Sequence, residues 1–234
     1  MNNKQLVITG ATKGIGRAIL EIFAFHGFDV IANARTLSDL ISLEKWFHES
    51  YPNQNISIVA LDIAQKADRE SFCTFLKDKK VDVLVNNAGV FLPGAIHLEE
   101  NGVLDKMIET NLYSAYDTTR AVVPNMKLQK EGTIFNVCST ASITAYENGG
   151  SYCISKFALL GFSKVLRQEL KSFGIRVTSI LPGATFTASW EGVEIPEERF
   201  MPAKDIAKTI WEVYQLSDRT VVEEIVLRPM LGDL

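Results

Sequence analysis

The 234-residue sequence predicts a single doubly wound α/β domain: a seven-stranded parallel sheet with helices on both faces. Three observations predict it. Short β-branched runs alternate with longer amphipathic segments along nearly the whole length, as successive βα units require. Some of the short runs, Val81 to Val85 and Val177 to Leu181 among them, are apolar almost throughout, which suits strands covered on both faces. The first strand-to-helix junction gathers three glycines, Gly10, Gly14 and Gly16.

Taken in order, the strands are expected at Gln5 to Thr9, Asp29 to Asn33, Ile56 to Leu61, Val81 to Val85, Thr133 to Cys138, Arg176 to Leu181 and Glu223 to Leu227. Apolar residues at three- and four-residue spacing set helices starting near Gly14, Leu37, Lys66, Asn101, Ser114, Tyr152 and Lys204. No internal repeat, low-complexity segment or domain boundary interrupts this alternation, so residues 1–234 read as one domain. The least regular stretch, 184–202, holds Trp190, Gly192, Pro196 and Pro202 and is expected to form a lid or substrate loop.

Composition narrows the function classes. Apolar residues at 47% and charged ones at 22% are enough for a packed core and argue against disorder. A net charge of −4 without a basic block argues against nucleic acid, whose phosphates demand concentrated positive charge. No apolar run approaches the roughly 20 residues that span a bilayer. Leu6 to Ile8 leads into the glycine motif and not into a cleavage site, so the expectation is a cytoplasmic protein without a membrane partner. Cys73, Cys138 and Cys153 lack a metal-type spacing and read as reduced packing thiols, and no metal is expected.

The glycines carry the first functional signal. Glycine permits a tight turn and close backbone approach to a pyrophosphate, while the next helix offers unpaired N–H groups and a partial positive charge. Turns collect glycine anyway, but the first strand-to-helix turn is where such sheets bind dinucleotides. The second strand ends Asn33-Ala34-Arg35-Thr36 with no carboxylate for a ribose 2′-hydroxyl. Arg35 offers a planar donor for a 2′-phosphate and Lys13 a second positive charge, a pair that favours NADP(H) over NAD(H). Asp62, ending the third strand, reads as a helix N-cap.

The second signal is chemical. Tyr152 and Lys156 stand four residues apart on one helix face. An ammonium beside a phenol stabilises the phenolate and is expected to lower a pKa that is ordinarily ~10. Ser139 follows an apolar strand, the position from which a polar side chain reaches the cleft above a parallel sheet.

Thr9-Gly10-Ala11-Thr12-Lys13-Gly14-Ile15-Gly16 resembles the cofactor motif of the short-chain dehydrogenase/reductases, and Asn86-Asn87-Ala88-Gly89 their second signature. The resemblance implies a Rossmann sheet of order 3-2-1-4-5-6-7 and NADP-dependent reduction of a carbonyl. It makes Tyr152 the proton donor and Ser139 a donor to the substrate oxygen. Lys156 would tune Tyr152 and bind the ribose, and Asn111, at a helix kink, would hold a water in the proton relay. Implied cofactor contacts are Gly10, Thr12, Lys13, Gly14, Ile15, Gly16, Arg35, Asp62, Ile63, Asn87, Ala88, Gly89, Tyr152, Lys156, Pro182, Gly183, Thr185 and Thr187. The final strand, Val222 to Pro229, departs from the glycine-rich ending of many family members.

For the substrate, Phe91, Tyr146, Phe186 and Trp190 are expected to line an apolar or mixed pocket, with Leu92, Val193, Ile195, Phe200 and Met201 nearby. The same residues would also simply pack the loop down. A ketone or aldehyde fits. A 3-oxoacyl chain on acyl carrier protein is the alternative: Lys127 and Lys130 supply part of a basic docking patch, but Phe173 stands where such reductases often carry a basic residue. A cofactor-binding sensor without turnover is a third reading, opposed by the intact Ser139, Tyr152 and Lys156. The helix from Tyr152 to Phe173 is apolar around much of its circumference, which predicts a homodimer or homotetramer.

Overall fold

A computed structural model describes residues 3–187 and 194–233. Seven strands, β1 (Gln5–Thr9), β2 (Asp29–Ala34), β3 (Ile56–Ala60), β4 (Val83–Asn86), β5 (Gly132–Val137), β6 (Ile175–Pro182) and β7 (Glu224–Leu227), pair in parallel in the order β3-β2-β1-β4-β5-β6-β7. Between them run α1 (Gly14–Phe25), α2 (Leu37–Ser50), α3 (Lys66–Leu76), α4 (Val103–Ile108), α5 (Ser114–Gln129), α6 (Gly150–Leu170) and α7 (Ala203–Tyr214). This is the expected doubly wound fold. The chain steps outward from β1 to β3 and then returns to place β4 on the other side of β1. That reversal opens a crevice at the carboxyl ends of β1 and β4, where α/β sheets of this kind bind ligands.

The apolar strands have a simple explanation in the two cores. Leu6 and Ile8 of β1 join Phe23, Phe47 and Ile210 under α1, α2 and α7. Val7, between them, points to the opposite face and joins Leu84, Val122 and Leu166 under α3, α5 and α6. Because successive side chains alternate faces and both faces are covered, the middle of the strand, Leu6 to Ile8, is apolar throughout.

Two boundaries differ from expectation in ways that matter for the site. The helices expected from Asn101 and Ser114 are one continuous rod, 103–129, in which residues Glu109–Tyr113 form a wider π-helical turn with Asn111 at its centre. A single inserted turn of this kind bends a helix without ending it, which periodicity alone does not reveal. The stretch expected as a lid is anchored at its far end. Phe200 and Met201 are buried, Met201 bridges to Thr185, and Phe186 N–H donates to the Met201 carbonyl at 2.9 Å. Trp190 and Val193 lie outside the described residues. Among the described residues, no helix is long and apolar enough to cross a membrane.

Candidate active site

The glycine turn is locked to the end of β4 by Thr9 and Asn87. The Thr9 hydroxyl accepts the N–H groups of Asn87 (3.1 Å) and Ala88 (3.0 Å), and the Asn87 amide donates back to the carbonyls of Thr9 (2.9 Å) and Gly10 (3.1 Å). The two glycine-bearing motifs are thus a single structure spanning the crevice. Gly10 and Gly14 adopt positive φ, 67° and 55°, and a Cβ on Gly16 would run into the Gly10 carbonyl oxygen. Only glycine satisfies these conditions without strain. Deeper in the sheet, Asn86 donates to Asn136 (2.8 Å) and Asn136 to Ser163 (2.7 Å), a polar chain from β4 through β5 to α6. Asn136 went unrecognised in the sequence because nothing in its own strand marks it.

Gly10, Thr12 and Gly14 begin a cavity of about 980 Å³ that runs across the carboxyl edge of the sheet. Of the expected cofactor contacts, Gly10, Thr12, Lys13, Gly14, Ile15, Gly16, Arg35, Asp62, Ile63, Asn87, Ala88, Gly89, Tyr152, Lys156, Pro182, Gly183, Thr185 and Thr187 all line it. At one end the walls are Asn33, Ala34, Arg35 and Thr36, with Asp39 from the first turn of α2. Lys13 does not stand free there: its Nζ lies 3.2 Å from Asp39 Oδ2. A carboxylate expected to be absent from this corner is therefore present, brought in four residues beyond Arg35 by the turn into α2. Among the described residues, Arg35 has no ion-pair partner. Asp62 serves its own loop, accepting the Ala64 N–H at 3.1 Å.

Further along the cavity stand Ser139, Tyr152 and Lys156. Ser139, just past β5, accepts the Ala141 N–H at 3.1 Å, and its own N–H donates to Ser142 Oγ at 3.2 Å, so the serine is fixed in a capped turn. Tyr152 lies in the first turn of α6 with Phe91 edge-on against it, ring centres 4.8 Å apart. Lys156, buried one turn later, donates from Nζ to the Val137 carbonyl at 3.0 Å, 5.8 Å from the Tyr152 ring centre. The helix start is clamped from outside by Glu99, whose carboxylate accepts the Ser151 N–H at 2.9 Å and the Ser151 hydroxyl.

The electrostatics of this cluster reverse one expectation. Burial raises the pKa of Tyr152 above its ordinary value, and a hydrogen bond with Ser139 only partly opposes that. Burial also lowers Lys156 to about 8. Desolvation is thus the largest cause of both shifts. The phenol is therefore a neutral donor and the amine a readily titrated cation.

Asn111 lies off the cavity wall. Its amide donates to the Val90 carbonyl (3.0 Å) and Ser155 Oγ (2.8 Å), and its oxygen accepts the Val90 N–H (2.8 Å). It holds the loop after β4 against α6, and Gly89 is the small residue that lets it approach: a Cβ there would be 3.2 Å from Asn111 Oδ1 and 3.5 Å from Lys156 Nζ. Of the substrate-wall residues, Phe91 and Tyr146 line the cavity. Phe186 does not: it is half-exposed and turned onto Phe200, 5.8 Å between ring centres, because the backbone pairing with Met201 directs Thr185 and Thr187 inward instead. Wall residues that the sequence did not announce are Pro93, Thr144, Glu147, Asn148 and, from the carboxyl tail, Asp233, which also meets Arg228.

A glycine turn at the sheet's switch point, opening onto a half-buried phenol and a buried hydroxyl and amine, is the site of an α/β oxidoreductase. Residues 4–197 match the short chain dehydrogenase family, and the chain belongs to it. It is 36% identical over 242 residues to a sepiapterin reductase of Chlorobaculum tepidum, covering 98% of this chain and 97% of that protein. Over 225 residues it is 29% identical to a 3-oxoacyl-(acyl-carrier-protein) reductase of Haemophilus influenzae, 90% of each chain. An alcohol dehydrogenase from Thermococcus sibiricus, solved with 5-hydroxy-NADP, matches with a TM-score of 0.91 at 25% identity, over 100% of this chain and 99% of that one.

Proposed function

We propose that the protein uses NADP(H) to interconvert a small, uncharged ketone or aldehyde and its alcohol. The observation that carries this reading is the convergence of Ser139, Tyr152 and Lys156 on the wall of the cavity into which the glycine turn opens. The residues fit the dinucleotide: Gly10, Gly14 and Gly16 leave bare backbone for the pyrophosphate, Arg35 and Lys13 suit a 2′-phosphate, and Thr185 and Thr187 are available to a carboxamide. When bound as NADPH, the cofactor supplies a hydride to the carbonyl carbon.

The chain's own groups manage the oxygen. Tyr152, whose raised pKa keeps the phenol protonated, hands its proton to the carbonyl oxygen. The Ser139 oxygen is held by the Ala141 N–H, and its O–H, within hydrogen-bond reach of Tyr152, is placed to stabilise the negative charge growing on the substrate. Lys156, while protonated, favours the phenolate that proton transfer leaves behind. Asn111 acts through Val90 and Ser155 as a positioning residue.

Among the described residues, the only cations on the cavity wall are Lys13, Arg35 and Lys156, whereas Glu147 adds negative charge near Tyr146 and Asp233 is paired with Arg228. That distribution disfavours acidic substrates and an acidic carrier protein. The test is NADPH oxidation with sepiapterin, diketones, simple aldehydes and acetoacetyl thioesters. We expect neutral ketones to lead; preference for a carrier-bound thioester would replace this reading with the acyl-carrier one, and tight NADPH binding without any oxidation would favour a sensor. The exposed Tyr116, Ile154, Phe157 and Val165 on α5 and α6 favour a homodimer or homotetramer. Sedimentation giving only a 26 kDa species would remove the assembly proposal.

A further inference from the structure

We infer that Asp39 sets the balance between NADPH and NADH by competing with the cofactor's 2′-phosphate for Lys13. This rests on the reading of the cavity as a nicotinamide dinucleotide site. Lys13 enters from the glycine turn and Asp39 from the third position of α2, and their charged atoms meet at 3.2 Å on the cavity wall beside Arg35. The Lys13 side chain is 67% exposed and that of Asp39 32%, so both face solvent and an incoming ligand. The corner thus holds two cations and one anion, and one of the cations is engaged.

A phosphate monoester brings a charge of about −1.5 to −2 and needs both cations. It meets repulsion from Asp39 and must take Lys13 away from it. A ribose 2′-hydroxyl, by contrast, is a donor, and a carboxylate is its natural acceptor. The same side chain therefore opposes NADPH and accommodates NADH. Arg35 alone pulls toward the phosphate without internal opposition, so the unmodified protein uses both cofactors with a narrowed preference for NADPH.

The test is a set of dissociation constants for NADPH and NADH in the parent, Asp39→Asn, Asp39→Ser, Lys13→Met and the Lys13→Met/Asp39→Asn double variant. Asp39→Asn is expected to tighten NADPH about tenfold, a modest change for one removed like charge, while NADH stays level or weakens. In the Lys13→Met background the gain should shrink to below about threefold, because part of the effect passes through the freed ammonium. The Ser variant should repeat the direction and guards against a folding defect peculiar to Asn. A NADPH-to-NADH ratio within twofold of the parent in both Asp39 variants would overturn the inference. Failure of the parent to bind either dinucleotide would instead remove the cofactor reading, and this inference with it.

Discussion

The two ends of the cavity are built on opposite principles. Around Tyr152 the chemical groups are buried and each is tied down, Ser139 by a capped turn, Lys156 by the Val137 carbonyl and the start of α6 by Glu99. At the Arg35 corner the charges stand at the surface, and their one fixed relation is the Lys13–Asp39 pair. Packing and hydrogen bonds fix geometry to a fraction of an ångström, whereas exposed charges act through fields that water and salt weaken. The inner end is thus expected to be intolerant of change and insensitive to salt, and the outer end tolerant and tunable.

Removing one hydroxyl at the inner end should have the larger consequence. Ser139→Ala is expected to cut kcat by roughly 10²–10³, the usual loss for one oxyanion donor, with the NADPH dissociation constant within about twofold. Steady-state kinetics beside equilibrium binding checks both, and an equal loss in binding would mean that the serine serves the cofactor.

A pH series sharpens the same end. Lys156 has a folded-state pKa lowered to about 8 from 10.5, so between those values the unfolded chain holds more protons than the native one. Its contribution to stability is therefore unfavourable below pH 8 and is relieved as pH rises toward 10.5. Activity should move the other way: kcat/KM for carbonyl reduction falls about tenfold per unit above pH 8 as the ammonium is lost. Thermal unfolding and kinetics across pH 7–10 measure the opposed trends, and Lys156→Met should flatten both. Parallel trends would show that some other group controls the profile.

The outer end should respond more gently. Arg35→Ser is expected to raise KM for NADPH about tenfold and leave kcat and NADH use nearly unchanged, in keeping with the loss of one charge-assisted phosphate contact. Smallest of all, raising salt from 0.05 to 0.5 M should weaken NADPH a few-fold and spare NADH. A kcat defect in the Arg35 variant would dissolve the contrast between the two ends.

That contrast also governs what could be read in the sequence. The seven strands and the first helical residues were legible because β1, β2 and β4 carry apolar side chains on both faces and the loops between them carry turn formers. Ser139, Tyr152 and Lys156 were legible because a strand end and a four-residue helical spacing fix where side chains go. Asp39 was not, since its meeting with Lys13 depends on the angle at which α2 leaves β2. Nor was the raised Tyr152 pKa, because spacing reports neighbours and not desolvation. Phe186 was expected on the pocket wall and is not there, because its backbone pairs with Met201, 15 positions further along the sequence. Asn111 stood out, but the π-helical turn that carries it, and its ties to Val90 and Ser155, depend on one extra residue within a helix whose apolar period barely changes.

The Tyr152 hydroxyl delivers the proton, within a cavity otherwise formed without it, in the function proposed above. Tyr152→Phe removes that oxygen alone and keeps the ring against Phe91. NADPH should then bind within about twofold of the parent while carbonyl reduction drops by roughly 10²–10⁴, the range for a lost general acid. Turnover within a few-fold of the parent, with the cofactor still bound, would mean that another group delivers the proton.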